Sequence, residues 1–444
     1  MVKKMFLLMV LFAFIAAGCN SNPTPSAYGE GVKTEIVDTA PYLRKGPYLL
    51  YPGGYNMTVL WQLDTTQSCT LEWGTDTSYS TGSVVTTEHT EPHQDADHQH
   101  KYTITDLLPG QKYYYKVTVG AYEYPASFRS APAQGLTPAT KTRFTVGGDT
   151  QSYWEREESA RRSKIPGEIG EGINAFFTAM VDAYTADPNW QTLHIHQGDW
   201  TDFGRHEGSW EQTVFSDWSG IRQFLSEVPI NGCYGNHDEY VYPHPNKDED
   251  NRELTGNLFK KYWPYPFVGG VDNIDSYFSF EYGPAFFAIL DEYAAGNYPS
   301  SNGFGATQLA WLVDELQNTD KEWKFIVHHQ SAYVGDPHYS RGARKYIKPI
   351  AEAYGVDVVI AGHRHMYNHC KVDGVHWVNV ASSGSSHPTP CNGEGAACST
   401  TGCLWCNSTD WGFGRFEIDA NVLNFEFVLV DGSVEDSWRI VHTD

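Results

Sequence analysis

Positive charge is scarce in this 444-residue chain: 31 Lys and Arg stand against 54 Asp and Glu, a formal charge of −23. Such a balance cannot neutralise a phosphate backbone, so nucleic acid is excluded as the expected partner. Electrostatic adhesion to anionic lipid is excluded for the same reason. A small phosphate ester would need local positive charge, which bound metal ions can supply. Long apolar runs are lacking too: Met5 to Ile15 is too short to cross a bilayer. No internal repeat is visible. Hydrophobic content is not lacking, at 41% with 14% aromatics. Global disorder is therefore excluded, and the length suits two or three domains.

The first residues read as a targeting segment. Lys3 and Lys4 precede the apolar run, and Ala16-Ala17-Gly18-Cys19 follows it. Small residues before a Cys resemble a bacterial lipobox, with Ala16 where Leu is favoured. An ordinary secretory signal is the alternative, and both export the chain. The expectation is a signal peptide over 1–18, a polar, Pro-rich tether over 19–39 and a lipid anchor at Cys19, which makes an exported, membrane-anchored bacterial lipoprotein. Of the other seven cysteines, Cys391, Cys398, Cys403 and Cys406 cluster in a Gly/Ser/Thr-rich stretch. They can form two disulfides or a zinc site. Irregular gaps and an oxidising compartment favour disulfides.

Residues 40–134 read as a small all-β sandwich. Thr58–Leu63 and Cys69–Trp73 alternate, and Leu107-Leu108-Pro109-Gly110 leads into a Tyr-rich strand. That junction resembles the tyrosine corner of fibronectin type III domains. Inside lies a His-rich stretch, His89 to His100, which reads as a solvated hairpin loop rather than a metal loop, because its ligand spacing is irregular. Gln134 to Thr142 is a linker. From 142 to 444 the grammar is α/β. Strands are expected at Thr142–Val146, Trp190–Gln197, Val228–Tyr234, Tyr277–Tyr282, Phe286–Leu290, Trp323–Val327 and Val356–Ala361. Helices are expected at Ile173–Tyr184, Trp210–Trp218, Ile221–Glu227, Gln308–Gln317 and Tyr346–Tyr354. The alternation implies a central sheet covered on both faces.

Five of these strands end in ligand-capable residues, at the edge where α/β folds build their sites. The stations are Gly148-Asp149, Gly198-Asp199-x-x-Asp202, Gly235-Asn236-His237-Asp238, His328-His329 and Gly362-His363-x-His365. Each alone is weak. The ordered set resembles the calcineurin-like metallophosphoesterase family, and with the preceding sandwich it resembles the purple acid phosphatase branch. That resemblance implies a four-layer fold of mixed sheets with flanking helices. It also implies two divalent or mixed-valence metal ions (Fe, Mn or Zn) and hydrolysis of a small phosphate ester by a metal-bridging hydroxide.

By the resemblance, Asp199 bridges the metals. One metal would take Asp149, Asp199 and His365; the other would take Asp199, Asn236, His329 and His363. His329 is chosen over His328 because Tyr333 lies four residues after it, as the family pattern has it. His237 would face the substrate and assist the leaving group, with Asp238 fixing its tautomer. Along an extended strand the imidazoles of His363 and His365 would point the same way. Arg205, His206, Arg364 and Tyr333 are further candidates near the same edge.

Two positions depart from the family. Gln151 stands where many members have His, and Asp202 stands where purple acid phosphatases have Tyr. Without that Tyr the enzyme is not expected to be purple. Gln151 or Asp202 could complete the first metal's shell with oxygen, or Asp202 could serve only as a hydrogen-bond acceptor. A phosphodiesterase or nucleotidase, and a scaffold lipoprotein that has lost catalysis, are the rival functions.

Overall fold

The computed structural model describes residues 32–33, 43–88, 98–134, 141–151, 171–239, 258–270, 275–293, 303–335, 339–384, 389–391, 395, 398 and 400–443. The signal segment, most of the tether, and His89 and His93 lie outside the described residues.

The N-terminal region pairs two antiparallel sheets. β1 (Val32–Lys33), β8 (Tyr122–Arg129), β7 (Lys112–Val119), β4 (Cys69–Gly74) and β5 (Gly82–Thr86) form one in that order; β2 (Leu43–Leu50), β3 (Met57–Leu63) and β6 (Gln99–Ile104) form the other. β7 shows why a sandwich forms: Tyr113, Tyr115, Val117 and Val119 alternate inward with polar neighbours outward. The backbone N–H of Leu108 donates to the Tyr113 hydroxyl at 3.0 Å, a tyrosine corner. His100 from the His-rich stretch stacks on Trp61 and is buried, and His98 lies 2.7 Å from Glu88. Both are structural.

The remainder holds two sheets rather than one central sheet. In the first, β11 (Ile230–Gly232), β10 (His194–His196) and β9 (Thr142–Val146) run parallel and continue into antiparallel β19 (Gly412–Asp419), β20 (Val422–Leu429) and β21 (Val434–Val441). The second orders β12 (Phe278–Tyr282), β13 (Ala285–Ile289), β14 (Trp323–Gln330), β15 (Val358–Gly362), β17 (Val375–Val380), β16 (Tyr367–Val372) and β18 (Cys403–Asn407). The C-terminal strands are absent from the sequence reading, and they are what doubles the sheet.

Alternation explains the layering. Phe287, Ile289, Phe325, Val327, Val358 and Ile360 join the core between the sheets, where Phe144 stacks on Phe416 at 4.8 Å and Phe287 on Phe325 at 4.7 Å. Their neighbours Phe286, Ala288, Ile326 and Val359 face the other way, into a second core with Leu312 and Leu316 of one helix (Ala306–Asn318) and Ala351 of another (Lys348–Ala353). On the first sheet, the helices Glu171–Ala186 and Ser219–Glu227 cover the outer face through Phe176, Phe177, Ile221 and Phe224. Truncating one such buried aromatic to Ala typically costs about 3–5 kcal/mol.

The expected strand Trp190–Gln197 is only three residues long. Pro188 to Trp190 form a 3₁₀ turn instead, with the Asp187 side chain accepting from Asn189 N. Proline's fixed φ and missing N–H suit that turn better than a ladder.

The sandwich is not a detached module. Tyr48, Leu50, Tyr51 and Leu60 belong to the main core. Asn231 of β11 exchanges hydrogen bonds with Tyr51 N and O, at 3.1 and 3.0 Å. The buried Lys45 ammonium lies 3.0 Å from both Glu207 and Glu211, which lie on the short helix Glu207–Gln212.

Candidate metal centre

The strand ends converge at one edge of the two sheets. Asp149 follows β9, Asp199 follows β10, and Asn236 and His237 follow β11. His329 lies near the end of β14, and His363 and His365 follow β15. Asp149, Asp199 and His363 have φ of 59°, 52° and 69°. Left-handed backbone at three non-glycine residues is strained, and strain of this kind gathers where function fixes a side chain. The preceding glycines permit close approach. A Cβ on Gly235 would collide with Asp199, and one on Gly362 with the Asp149 carboxylate.

Two ligand-capable groups emerge, and they share Asp199. Ligand atoms of Asp199, His329 and His363 lie within 4.8 Å of one another, and so do those of Asp149, Asp199 and His365. Asn236 Oδ1 stands 3.0 Å from His329 Nε2, which brings it to the first of these groups. His329 Nε2 also faces Asp199 Oδ2 at 3.1 Å and His363 Nδ1 at 3.2 Å. Its Nδ1 lies 2.8 Å from the Gln197 carbonyl. An N–H donated there leaves the lone pair of Nε2 directed into the site. The other group is looser: His365 Nε2 is 3.5 Å from Asp149 Oδ1.

This donor set fits cations. Asp149 and Asp199 are at most 1% exposed, and among the described residues neither is paired with Lys or Arg. Buried carboxylates without counter-charge are costly. Burial pushes the Asp149 carboxyl up. Burial would also raise Asp199, yet His329 and His237 beside it hold it well below the usual carboxylate range. Burial works against a charged His329, but Asp199 outweighs it and lifts the imidazole to about 9.

His237 is placed differently from the sequence expectation. Its Nδ1 hydrogen-bonds the Asp202 main-chain carbonyl at 3.2 Å and lies 3.0 Å from Asp202 Oδ1, so the residue that orients it is Asp202, not Asp238. Asp238 is fully buried and accepts backbone N–H bonds from Asp199 at 3.1 Å, Trp200 at 3.0 Å and Gly235 at 2.8 Å. It staples the second and third stations together: three converging turn N–H groups outcompete a neighbouring imidazole for one carboxylate. The His237 side chain is 27% exposed, more open than the His329 and His365 side chains.

The strand argument for His363 and His365 also needs correction. β15 ends at Gly362, and the next residues form a bend in which Arg364 N donates to Gly362 O at 2.8 Å. The bend, not a pleat, sends the two imidazoles to different groups. His328 points to the opposite face of β14, against Phe304 and 3.5 Å from Glu292. Tyr333 packs on Trp377 in the helix-side core.

Some residues escaped the sequence reading. The Tyr293 hydroxyl lies 3.4 Å from Asn236 Oδ1. It follows the end of β13, so the strand-end rule, with Asp291-Glu292 as its signal, would have found it. Thr389 Oγ1 accepts the His365 backbone N–H at 3.1 Å, and the Thr389 N–H donates to His365 O at 2.9 Å. Nothing in the sequence marks Thr389. Two residues on, Cys391 is disulfide-bonded to Cys406, and Cys398 to Cys403, so the cysteine cluster holds disulfides.

Residues 142–367, just over half of the chain, match the model of the calcineurin-like phosphoesterase family. Purple acid phosphatase 21 of Arabidopsis thaliana is 24% identical over 279 residues, 61% of this chain and 53% of that protein. Purple acid phosphatase of Glycine max is 24% identical over 275 residues, 60% and 52% respectively. The chain thus spans about half the length of these curated relatives. Among solved structures, purple acid phosphatase PPD1 from yellow lupin (Lupinus luteus) superposes with a TM-score of 0.66 at 19% identity, covering 89% of this chain and 74% of that one. A structure of PhoD gives 0.66 at 14% identity, covering 92% and 90%. The family match decides the assignment: this chain is a member of the calcineurin-like phosphoesterase family, and within it the chain is similar to purple acid phosphatases.

Proposed function

We propose that the protein is an exported, dinuclear-metal phosphohydrolase acting on small phosphate monoesters. The observation that carries the reading is Asp199, one buried carboxylate shared by two ligand groups. Asp149 and His365 would hold one cation with it, and Asn236, His329 and His363 the other. Two bound cations would neutralise the ester's anionic oxygens and acidify the attacking water.

The remaining steps fall to side chains. His237, open to solvent, stands where a phosphate oxygen can reach it. With Nδ1 engaged by Asp202, Nε2 is the nitrogen that would carry a proton to the departing alkoxide. The Asp202 carboxylate stabilises the imidazolium that donates it. The Gly235 N–H, donated to Asp238, fixes the turn beneath. The disulfides support export, because such bonds persist in oxidising compartments. No helix among the described residues is long and apolar enough to cross a membrane, and attachment is assigned to an acylated Cys19. Cys19→Ala should then release the protein from the membrane fraction.

The direct test is 4-nitrophenyl phosphate hydrolysis by chelator-stripped protein resupplied with Mn(II), Zn(II) or Fe(II). Activity should be absent when stripped, return with metal, and be lost in Asp199→Ala while the fold persists. Full activity in Asp199→Ala sinks the reading. Faster turnover of bis(4-nitrophenyl) phosphate would reassign the substrate to diesters.

A further inference from the structure

The Asp149–Asp199–His365 group is one donor short of its neighbour, which has Asn236 as well. We propose that Gln151 supplies that donor, as a carboxamide-oxygen ligand of the first metal position. The inference rests on the dinuclear reading above and concerns only how its first half is completed.

Gln151 is 4% exposed, and its backbone N–H is anchored to Asp199 O at 3.1 Å. Its amide is inserted among the ligand atoms: Nε2 lies 3.2 Å from Asp199 Oδ2 and 2.8 Å from His365 Nε2. Oε1 is buried with no hydrogen-bond partner among the described residues. The two amide atoms are alike in shape, and a half-turn of the terminal torsion exchanges them. One amide atom lacks a protein partner in either orientation, so the group in the site decides which way it faces. In the metal-free chain Nε2 donates to the two ligand atoms and keeps them together. A cation held by those same lone pairs repels N–H hydrogens and attracts a carbonyl oxygen, so the turned amide becomes the ligand.

The result is near-symmetry. Each half would have the shared Asp199 and one carboxamide oxygen, Gln151 on one side and Asn236 on the other. A neutral, hard oxygen adds no charge to the first half, which then suits a divalent ion that favours oxygen, such as Mn(II), over a trivalent one. Asp202 is left to its contact with His237.

The experiment is Mn(II) titration of the chelator-stripped full-length protein, followed by electron paramagnetic resonance with elemental analysis of the stoichiometry. Wild type should bind two equivalents. Gln151→Met keeps the volume without the oxygen. It should retain one equivalent at wild-type affinity and weaken the other by about ten-fold or more. Gln151→Glu restores an oxygen and adds charge, and should bind two, with the first position at least as tight as in wild type. Coincident melting curves of the stripped proteins check the fold. If Gln151→Met does not fold, Gln151→Glu decides alone: tightening confined to one position supports the ligand, and unchanged affinity at both overturns it. Two wild-type equivalents in Gln151→Met also overturn it and leave the dinuclear reading standing. Fewer than two in wild type overturn the dinuclear reading and this inference together.

Discussion

The two halves of the centre rest on different kinds of backbone. Around Asn236 and His329 the supports are fixed by the sheets, while His363 of that half stands in the bend beyond β15. His329 lies within β14, its outer nitrogen meets the Gln197 carbonyl, and the turns at Asp199 and Gly235 are tied to buried Asp238. Around Asp149 and His365 the supports come partly from a loop. His365 stands in a bend beyond β15 and is held through Thr389, next to a disulfide-bonded stretch. The sheet-built half has contacts near 3 Å, whereas His365 and Asp149 are 3.5 Å apart. Strands set their half in place before any metal arrives; the other half needs a loop and a cation to close.

The comparison can be broken most completely at the residue common to both halves. Asp199→Ala should lose both metals and lower phosphatase kcat on the order of 10³-fold or more. Elemental analysis beside a kinetic assay checks it. Next come the halves one at a time. His329→Ala should cost the second metal and His365→Ala the first, each weakening its own site about 10- to 100-fold or more. Competitive chelator titrations separate the two, and equal loss at both sites in either variant would erase the distinction.

His237→Ala belongs to neither half. It should lower kcat about 10²- to 10⁴-fold with metal content unchanged. Asp202→Asn should cost roughly ten-fold and alter the pH profile of kcat, whereas Asp238→Asn should show itself in thermal stability. Smaller again is Thr389→Val: losing one hydrogen bond to His365 is worth about 1 kcal/mol, a few-fold in first-site affinity, with the second site unmoved.

An effect on stability rather than on the metals lies beneath the centre, in β10. Burial pushes the His194 imidazole down to about 3 from an ordinary 6.5. The unfolded chain takes up that proton first, so its contribution is complete above about 6.5 and is lost as pH falls toward about 3. The limiting slope is about 1.4 kcal/mol per pH unit for one group. His194→Gln should flatten the acid limb of stability in urea unfolding at stepped pH.

The same contrast explains what could be read in the sequence. The sheet-delivered ligands were legible because a short apolar run ending in Asp, Asn or His is a local pattern. The family's Tyr four residues on selects His329 over His328, and strand alternation then puts His328 on the opposite face. The role of Asp238 was not legible, since it depends on three backbone N–H groups that meet only in the fold. Nor was the turn at His363, where a left-handed φ replaced the extended chain that the spacing suggested. Thr389 had no signal because its task is to hold a backbone. The C-terminal strands β19 to β21 do alternate, as the burial of β19 and β20 shows. Their partner in the sheet, β9, is far away in sequence, and no local pattern names it.

One measurement tests the central claim most directly: phosphatase activity of chelator-stripped protein against added Mn(II), counted in equivalents per chain. Two cooperating ligand groups predict no activity without metal and saturation at two equivalents. Activity that survives stripping, or that saturates at one equivalent, would contradict a centre organised around a shared Asp199.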